Sequence, residues 1–157
     1  MNEKRREILK IGSGLTLLSL VAAAGWLKPG SARAADWNKA AFETKSMDET
    51  MKALGGSAPA QSKDIAFVST PDIAENGAVV PVGVSSSIPK TESIAILIEK
   101  NPNMLAASFD IPPGTDPSIS TRVKMGQSSN VYALVKADGK YYVASKEIKV
   151  TLGGCGG

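Results

Sequence analysis

The 157-residue chain contains no histidine and a single cysteine, Cys155, and it is poor in aromatics, with three Phe, two Trp and three Tyr. Each scarcity removes chemistry. Without an imidazole there is no Ser-His or Cys-His nucleophile pair and no His-ligated metal site. With one thiol there is no intrachain disulfide, no CxxC redox pair, and no thiolate cage for zinc or an iron–sulfur cluster within one chain. The length suits one ordinary domain and hardly two. Positive charge is in modest excess, 18 Lys and Arg against 15 Asp and Glu, a formal net charge of +3. Taken alone, that excess points to an anionic partner such as nucleic acid.

The excess belongs to one segment. Residues 1–34 read as an export signal: Lys4-Arg5-Arg6 form a positive start, an apolar stretch follows to Leu27, and Ala32-Arg33-Ala34 supplies the small-x-small pattern before a cleavage point. The apolar stretch from Ile11 to Leu27 is interrupted by Gly12, Gly14 and Gly25, and it is shorter than the roughly 20 residues a membrane span needs. Arg5-Arg6-Glu7-Ile8-Leu9-Lys10 matches the twin-arginine pattern, an address that exports proteins already folded. The expectation is a periplasmic protein starting at Ala35. Six of the basic and two of the acidic residues lie in 1–34, leaving twelve against thirteen, so the remainder carries a net charge near −1. Its charges are scattered singly, and a nucleic-acid role loses its support.

Residues 35–56 read as a helical segment. Trp37, Ala40 and Ala41 would share one face, Ser46-Met47-Asp48-Glu49 resembles a capping box, Met47, Met51 and Leu54 follow at helical spacing as core contacts, and Gly55-Gly56 ends the helix. Ser57 to Lys63 reads as a small-residue linker. From Asp64 the pattern changes to short strands separated by turn residues. Candidates are Ile65–Val68, Val79–Val84, Ile94–Ile98, Met104–Phe109, Ile119–Lys124, Val131–Val135, Tyr141–Val143 and Ile148–Leu152. Ile73–Gly77 reads as a turn. Pro81 and Gly83 suggest an edge strand or a bulge. Ile94, Ile96 and Ile98 alternate with Ala95 and Leu97, so both faces of that strand are expected to be buried. Asp138-Gly139 signals a tight hairpin. Seven or eight short strands at this spacing, with no βαβ alternation, predict an all-β sandwich over 57–152.

The chain ends Gly153-Gly154-Cys155-Gly156-Gly157. Glycines have wide backbone freedom and no side chain to dock, so residues 153–157 read as a flexible arm carrying an exposed thiol. Fully extended, five residues reach about 17 Å. A free thiol has a pKa of about 8.5, and with no His or fixed cation beside it Cys155 is not expected to be catalytic by itself. Two functional readings remain: an attachment point for a substrate passed between enzymes, and an intermolecular disulfide made by a non-catalytic β-sandwich interaction module. No cofactor or metal site is expected in the chain.

The tail resembles the C-terminal signature of the SoxY family, the sulfur-carrier subunits of the bacterial thiosulfate-oxidising (Sox) system. Ile73-Ala74-Glu75-Asn76-Gly77-Ala78-Val79-Val80-Pro81-Val82, Glu99-Lys100-Asn101-Pro102, Arg122-Val123-Lys124-Met125 and Lys149-Val150-Thr151 are similar to runs in the same family. The resemblance implies an immunoglobulin-like β-sandwich, sulfur intermediates held covalently on Cys155, and a heterodimer with a SoxZ-type subunit. It also implies action by a SoxXA-type haem protein and a SoxB-type dimanganese hydrolase, in some organisms also a SoxCD-type sulfane dehydrogenase, so that the cofactors belong to partners. The strand with two apolar faces, 94–98, would be a candidate to meet the SoxZ-type subunit, because a sandwich needs only one face for its own core.

Overall fold

The computed structural model describes residues 38–151. The expected export signal with Arg5 and Arg6, Trp37, Leu152, and the arm 153–157 with Cys155 lie outside the described residues.

Two short helices come first, α1 (Lys39–Phe42) and α2 (Met47–Ala53), followed by nine strands: β1 (Ala60–Gln61), β2 (Ile65–Val68), β3 (Ile73–Ala74), β4 (Val80–Ser86), β5 (Thr91–Ile98), β6 (Leu105–Asp110), β7 (Ser118–Val123), β8 (Ser129–Ala137) and β9 (Lys140–Val150). The larger sheet runs β1-β9-β8-β5-β6, with β3 also pairing with β9; the smaller runs β2-β4-β7. This is the expected all-β sandwich preceded by a short helical segment.

The period-two pattern of β5 explains the layering. Ile94, Ile96 and Ile98 enter the core between the sheets, with Val82 and Val84 of β4, Val131 and Val135 of β8, and Ile148 of β9. Ala95 and Leu97 point the other way into a second core, with Leu134, Val143, Met51 of α2 and Ala41 of α1. Both faces of β5 are therefore consumed by this chain. Burial on both faces agrees with the alternation, and the second face is covered by the helices rather than left for another subunit, because Met51 and Ala41 supply the apolar surface that the back of the sheet requires.

The helical segment is built as its local sequence directs, with two differences. Ser46 Oγ accepts from the Glu49 N–H at 3.3 Å, whereas the Glu49 carboxylate reaches past Ser46 and accepts from the Lys45 N–H at 2.8 Å. Ala40 and Ala41 do not share a face: Ala41 is buried and Ala40 exposed. At the far end Gly55, at φ 72°, lets its own N–H reach Lys52 O and that of Gly56 reach Met51 O, the paired closure that a left-handed glycine permits. The Tyr141 hydroxyl of β9 donates to Leu54 O at 3.0 Å and ties this end of the helix to the sheet.

Four strand expectations shift. The 57–63 linker contains β1, and the 73–77 turn begins with β3; both are two-residue parallel additions to β9, at Tyr142–Val143 and Lys149–Val150. Pieces this short carry no readable alternation. The expected strands at 141–143 and 148–152 belong to one strand, β9. Its polar middle is accommodated because Ser145 and Glu147 lie on the exposed face while Lys146 is half-buried. Finally, β4 is not an edge strand but the middle of the smaller sheet. Pro81 is tolerated because β2 pairs only from Ile65↔Ser86 to Val68↔Gly83. The Gly83 N–H points to the β2 side, where it donates to Thr70 Oγ1 at 3.0 Å. Two residues earlier, Pro81 faces the same side beyond the end of β2, where no ladder bond is required of it.

Gly83 is needed for close approach. A Cβ there would lie 2.3 Å from the Val68 carbonyl oxygen, a backbone atom, whereas a Cβ on Gly126 would meet nothing within 4 Å. Gly83→Ala is expected to cost about 1–3 kcal/mol in urea denaturation, and Gly126→Ala to stay within about 0.5 kcal/mol.

At one pole of the sandwich, Asp138 (φ 48°) and Gly139 (φ 72°) turn β8 into β9. Glu92 accepts there from Lys136 Nζ at 3.0 Å and from the Gly139 N–H at 3.0 Å. The Lys136 contact, and after it the Gly139 N–H, hold this carboxyl below its ordinary value of 4.5. A depressed carboxylate stabilises the fold above its ordinary value and loses that contribution as pH falls through the lowered one. Thermal melts of the wild type and Glu92→Gln should differ at neutral pH and converge in acid below the lowered value; a difference independent of pH would contradict this.

Candidate functional site

The expected site residues Cys155, Gly153, Gly154, Gly156 and Gly157 lie outside the described residues, but the strand that leads into them does not. Its end is held from both sides. On one side Lys149 N–H donates to Asp72 O at 2.9 Å and Thr151 N–H to Ala74 O at 3.0 Å. On the other, the Ser128 hydroxyl takes the Val150 N–H at 2.9 Å and reaches Val150 O at 3.4 Å. A single side chain thus replaces a strand just before β8 begins at Ser129. The 69–72 loop that supplies Asp72 is itself fixed: Lys146 Nζ, on β9, donates to Thr70 O and pairs with Asp72 at 3.0 Å. The Lys146 side chain is 26% exposed and the Asp72 side chain 87%, so the neutral carbonyl is the better shielded partner.

Around this root the fold gathers the four internal runs singled out in the sequence. Met125 N–H donates to Gly77 O at 2.7 Å, joining the 122–125 run to the 73–82 run. Asn101 bridges 99–102 to the same loop, its Nδ2 donating to Lys124 O at 2.8 Å and its Oδ1 accepting from the Gly126 N–H at 3.3 Å. Lys100 N–H donates to Ser129 Oγ at 3.0 Å, next to the serine that holds Val150. Within the 73–82 run, Asn76 Oδ1 accepts from Ala78 N–H at 2.9 Å, an Asx turn that folds the loop back. Segments far apart in the chain therefore form one hydrogen-bonded platform at the pole opposite the Asp138-Gly139 hairpin.

Ser128, Asn101 and Lys146 were not among the expected functional residues. Their roles depend on which loops meet; the sequence signals were the 99–102 run for Asn101 and the polar tract between β7 and β8 for Ser128, with none for Lys146. A separate cleft of about 450 Å³ opens behind the larger sheet, floored by Met47, Met104 and Val143 and rimmed by Lys45, Glu99 and Tyr132. Burial, and then the Glu99 charge, push the Tyr132 phenol above its ordinary 10.0, so it stays protonated. Among the described residues no group of three or more His, Cys, Asp or Glu is placed to hold a metal ion.

The family model for the sulfur oxidation protein SoxY matches residues 50–155, a span that ends on Cys155. This chain belongs to the SoxY family. The sulfur carrier protein SoxY from Chlorobium limicola f thiosulfatophilum is similar in structure, with 42% sequence identity and a TM-score of 0.60 over 67% of this chain and 96% of that one. A superoxide reductase (neelaredoxin) from Ignicoccus hospitalis shares 19% identity at a TM-score of 0.46, over 55% of this chain and 80% of that one, too little to bear on function. No curated protein matches the chain. Family and structural match together support a sulfur-carrier role, consistent with a subunit that presents sulfur rather than transforming it.

In this SoxY-family chain the root predicts a local effect. Ser128→Ala removes both bonds to Val150 and is expected to cost about 1 kcal/mol. Amide exchange at Val150 should quicken while that of the β5 core amides is unchanged. Uniform acceleration across the sheet would show that Ser128 serves global stability instead.

Proposed function

We propose that this protein is a periplasmic sulfur carrier that holds thiosulfate-derived intermediates covalently on Cys155 and presents them to the enzymes of the Sox system. The observation that carries this reading is the family match running to the sole thiol, which stands five residues beyond the end of a strand held on both edges. From Thr151, four residues carry the Cys155 backbone at most about 14 Å. Gly153 and Gly154 before the thiol and Gly156 and Gly157 after it add no side chains next to Cys155, so the thiol could enter a narrow cleft.

The chemistry is divided between carrier and partners. In loading, the Cys155 thiolate bonds to the outer sulfur of thiosulfate and two electrons leave to a SoxXA-type haem protein, giving a Cys155 S-thiosulfonate. Water then attacks the sulfonate sulfur in a SoxB-type hydrolase. The S–S bond to the sulfonate breaks, sulfate and two protons depart, and a persulfide stays on Cys155. A SoxCD-type sulfane dehydrogenase, where present, would oxidise that remaining sulfur. The carrier contributes no redox centre and supplies reach and a single attachment atom. A SoxZ-type subunit completes the heterodimer, and the Arg5-Arg6 signal would export the pair already folded.

Intact mass spectrometry of the heterodimer incubated with thiosulfate, the haem protein and an electron acceptor should show a thiosulfonate adduct on the C-terminal peptide. Cys155→Ser should reduce adduct and electron release to background with stability changed by less than about 0.5 kcal/mol. Full activity in Cys155→Ser, with a stoichiometric disulfide-linked dimer in the wild type, would establish the interaction-module reading in its place.

A further inference from the structure

The three large apolar side chains most open to solvent among the described residues are Val68, Ile73 and Val79, at 39%, 58% and 50% exposure. All three fall within one stretch of twelve residues, and that stretch runs beside the root of the arm. Ile73 pairs in parallel with Lys149, which places its Cα about 8 Å from that of Thr151 by ordinary strand spacings. Val79 follows the Asx turn at Asn76, with its N–H bonded back to Asn76 O at 3.3 Å. Gly77 in the same loop is pinned to Met125. These side chains are therefore displayed on a rigid platform and do not sit on a free loop.

The length of chain beyond the platform restricts what can use it. Cys155 stays within about 14 Å of Thr151, so any enzyme that takes the thiol into a recessed site must rest its rim on the surface around the root. The exposed charges there are mixed, with Asp72 and Glu75 beside Lys124 and Lys149, so no single-sign field selects the partner. Exposed apolar side chains supported by a hydrogen-bonded platform are the kind of anchor that carries binding energy at a small interface.

We propose that Ile73 and Val79 form the apolar anchor of a transient docking surface for the enzyme that conjugates thiosulfate to Cys155, one whose recessed site has an apolar rim. This rests on the carrier reading and adds the surface and the residues.

The test uses the complete heterodimer carrying Ile73→Asp and Val79→Asp. Its readouts are kcat/KM for enzymatic loading of Cys155, the rate at which Cys155 reacts with a small aromatic disulfide reagent, the melting temperature and the oligomeric state by light scattering. Loading efficiency should fall about tenfold or more, equivalent to roughly 1.4 kcal/mol, while reagent reactivity, melting temperature and oligomeric state stay at wild-type values. The conservative pair Ile73→Val and Val79→Ile should load normally. Unchanged loading by the Asp variant would overturn the proposal. So would loss of the partner subunit or a change in self-association, which would assign the face to a permanent interface. A parallel loss of reagent reactivity would also overturn it, since the substitutions would then act on the thiol itself. If the wild-type heterodimer acquires no adduct on Cys155, the carrier reading fails independently of this surface.

Discussion

β9 is paired along both edges, and most of the molecule is arranged by that pairing. One edge takes β8 from Lys140 to Ile148; the other takes β1 and then β3. From the same strand Tyr141 caps α2, Val143 enters the rear core, Ile148 enters the core between the sheets, and Lys146 anchors the 69–72 loop. A strand so restrained cannot fray at its final residues without losing bonds to the 72–74 segment and to Ser128. That is what turns the residues before the arm into a fixed mount.

The contrast between mount and arm has a physical logic. A carrier must release its cargo site into several different clefts, which favours glycines and no local packing. It must also limit where that site can travel, because effective concentration falls as the tether lengthens. Hydrogen bonds that restrain the chain up to Thr151 would give the proposed tether a defined origin. On the proposed reading, recognition would fall to the platform loops, because glycines have no side chains to supply it.

The two cores also explain why the helical segment is part of the sandwich. Ala95 and Leu97 are on the back of the sheet, where water would otherwise meet an apolar surface, and α1 and α2 cover it with Ala41 and Met51. Any second subunit must therefore use a surface other than the back of β5.

Much of this was legible in one dimension. Period-two apolar alternation identifies β5, β7 and β8, Asp138-Gly139 identifies the hairpin, and Ser46 with Gly55-Gly56 brackets α2, because each depends on neighbours within a few residues. The same holds for the lone Cys155 among glycines and for the absence of histidine, which confine the chemistry to one thiol. Other features depended on contacts between distant segments. β1 and β3 exist only because β9 offers an edge to pair with, and Pro81 sits in a middle strand only because β2 stops short of it. Ser128 becomes a strand substitute only because β8 begins one residue after it, short of Val150. Sequence alone therefore determined the fold class and the position of the one thiol, which follow from local periodicity and composition. Tertiary structure decided where the arm is rooted and what surrounds it, because hydrogen bonds between residues tens of positions apart set that geometry.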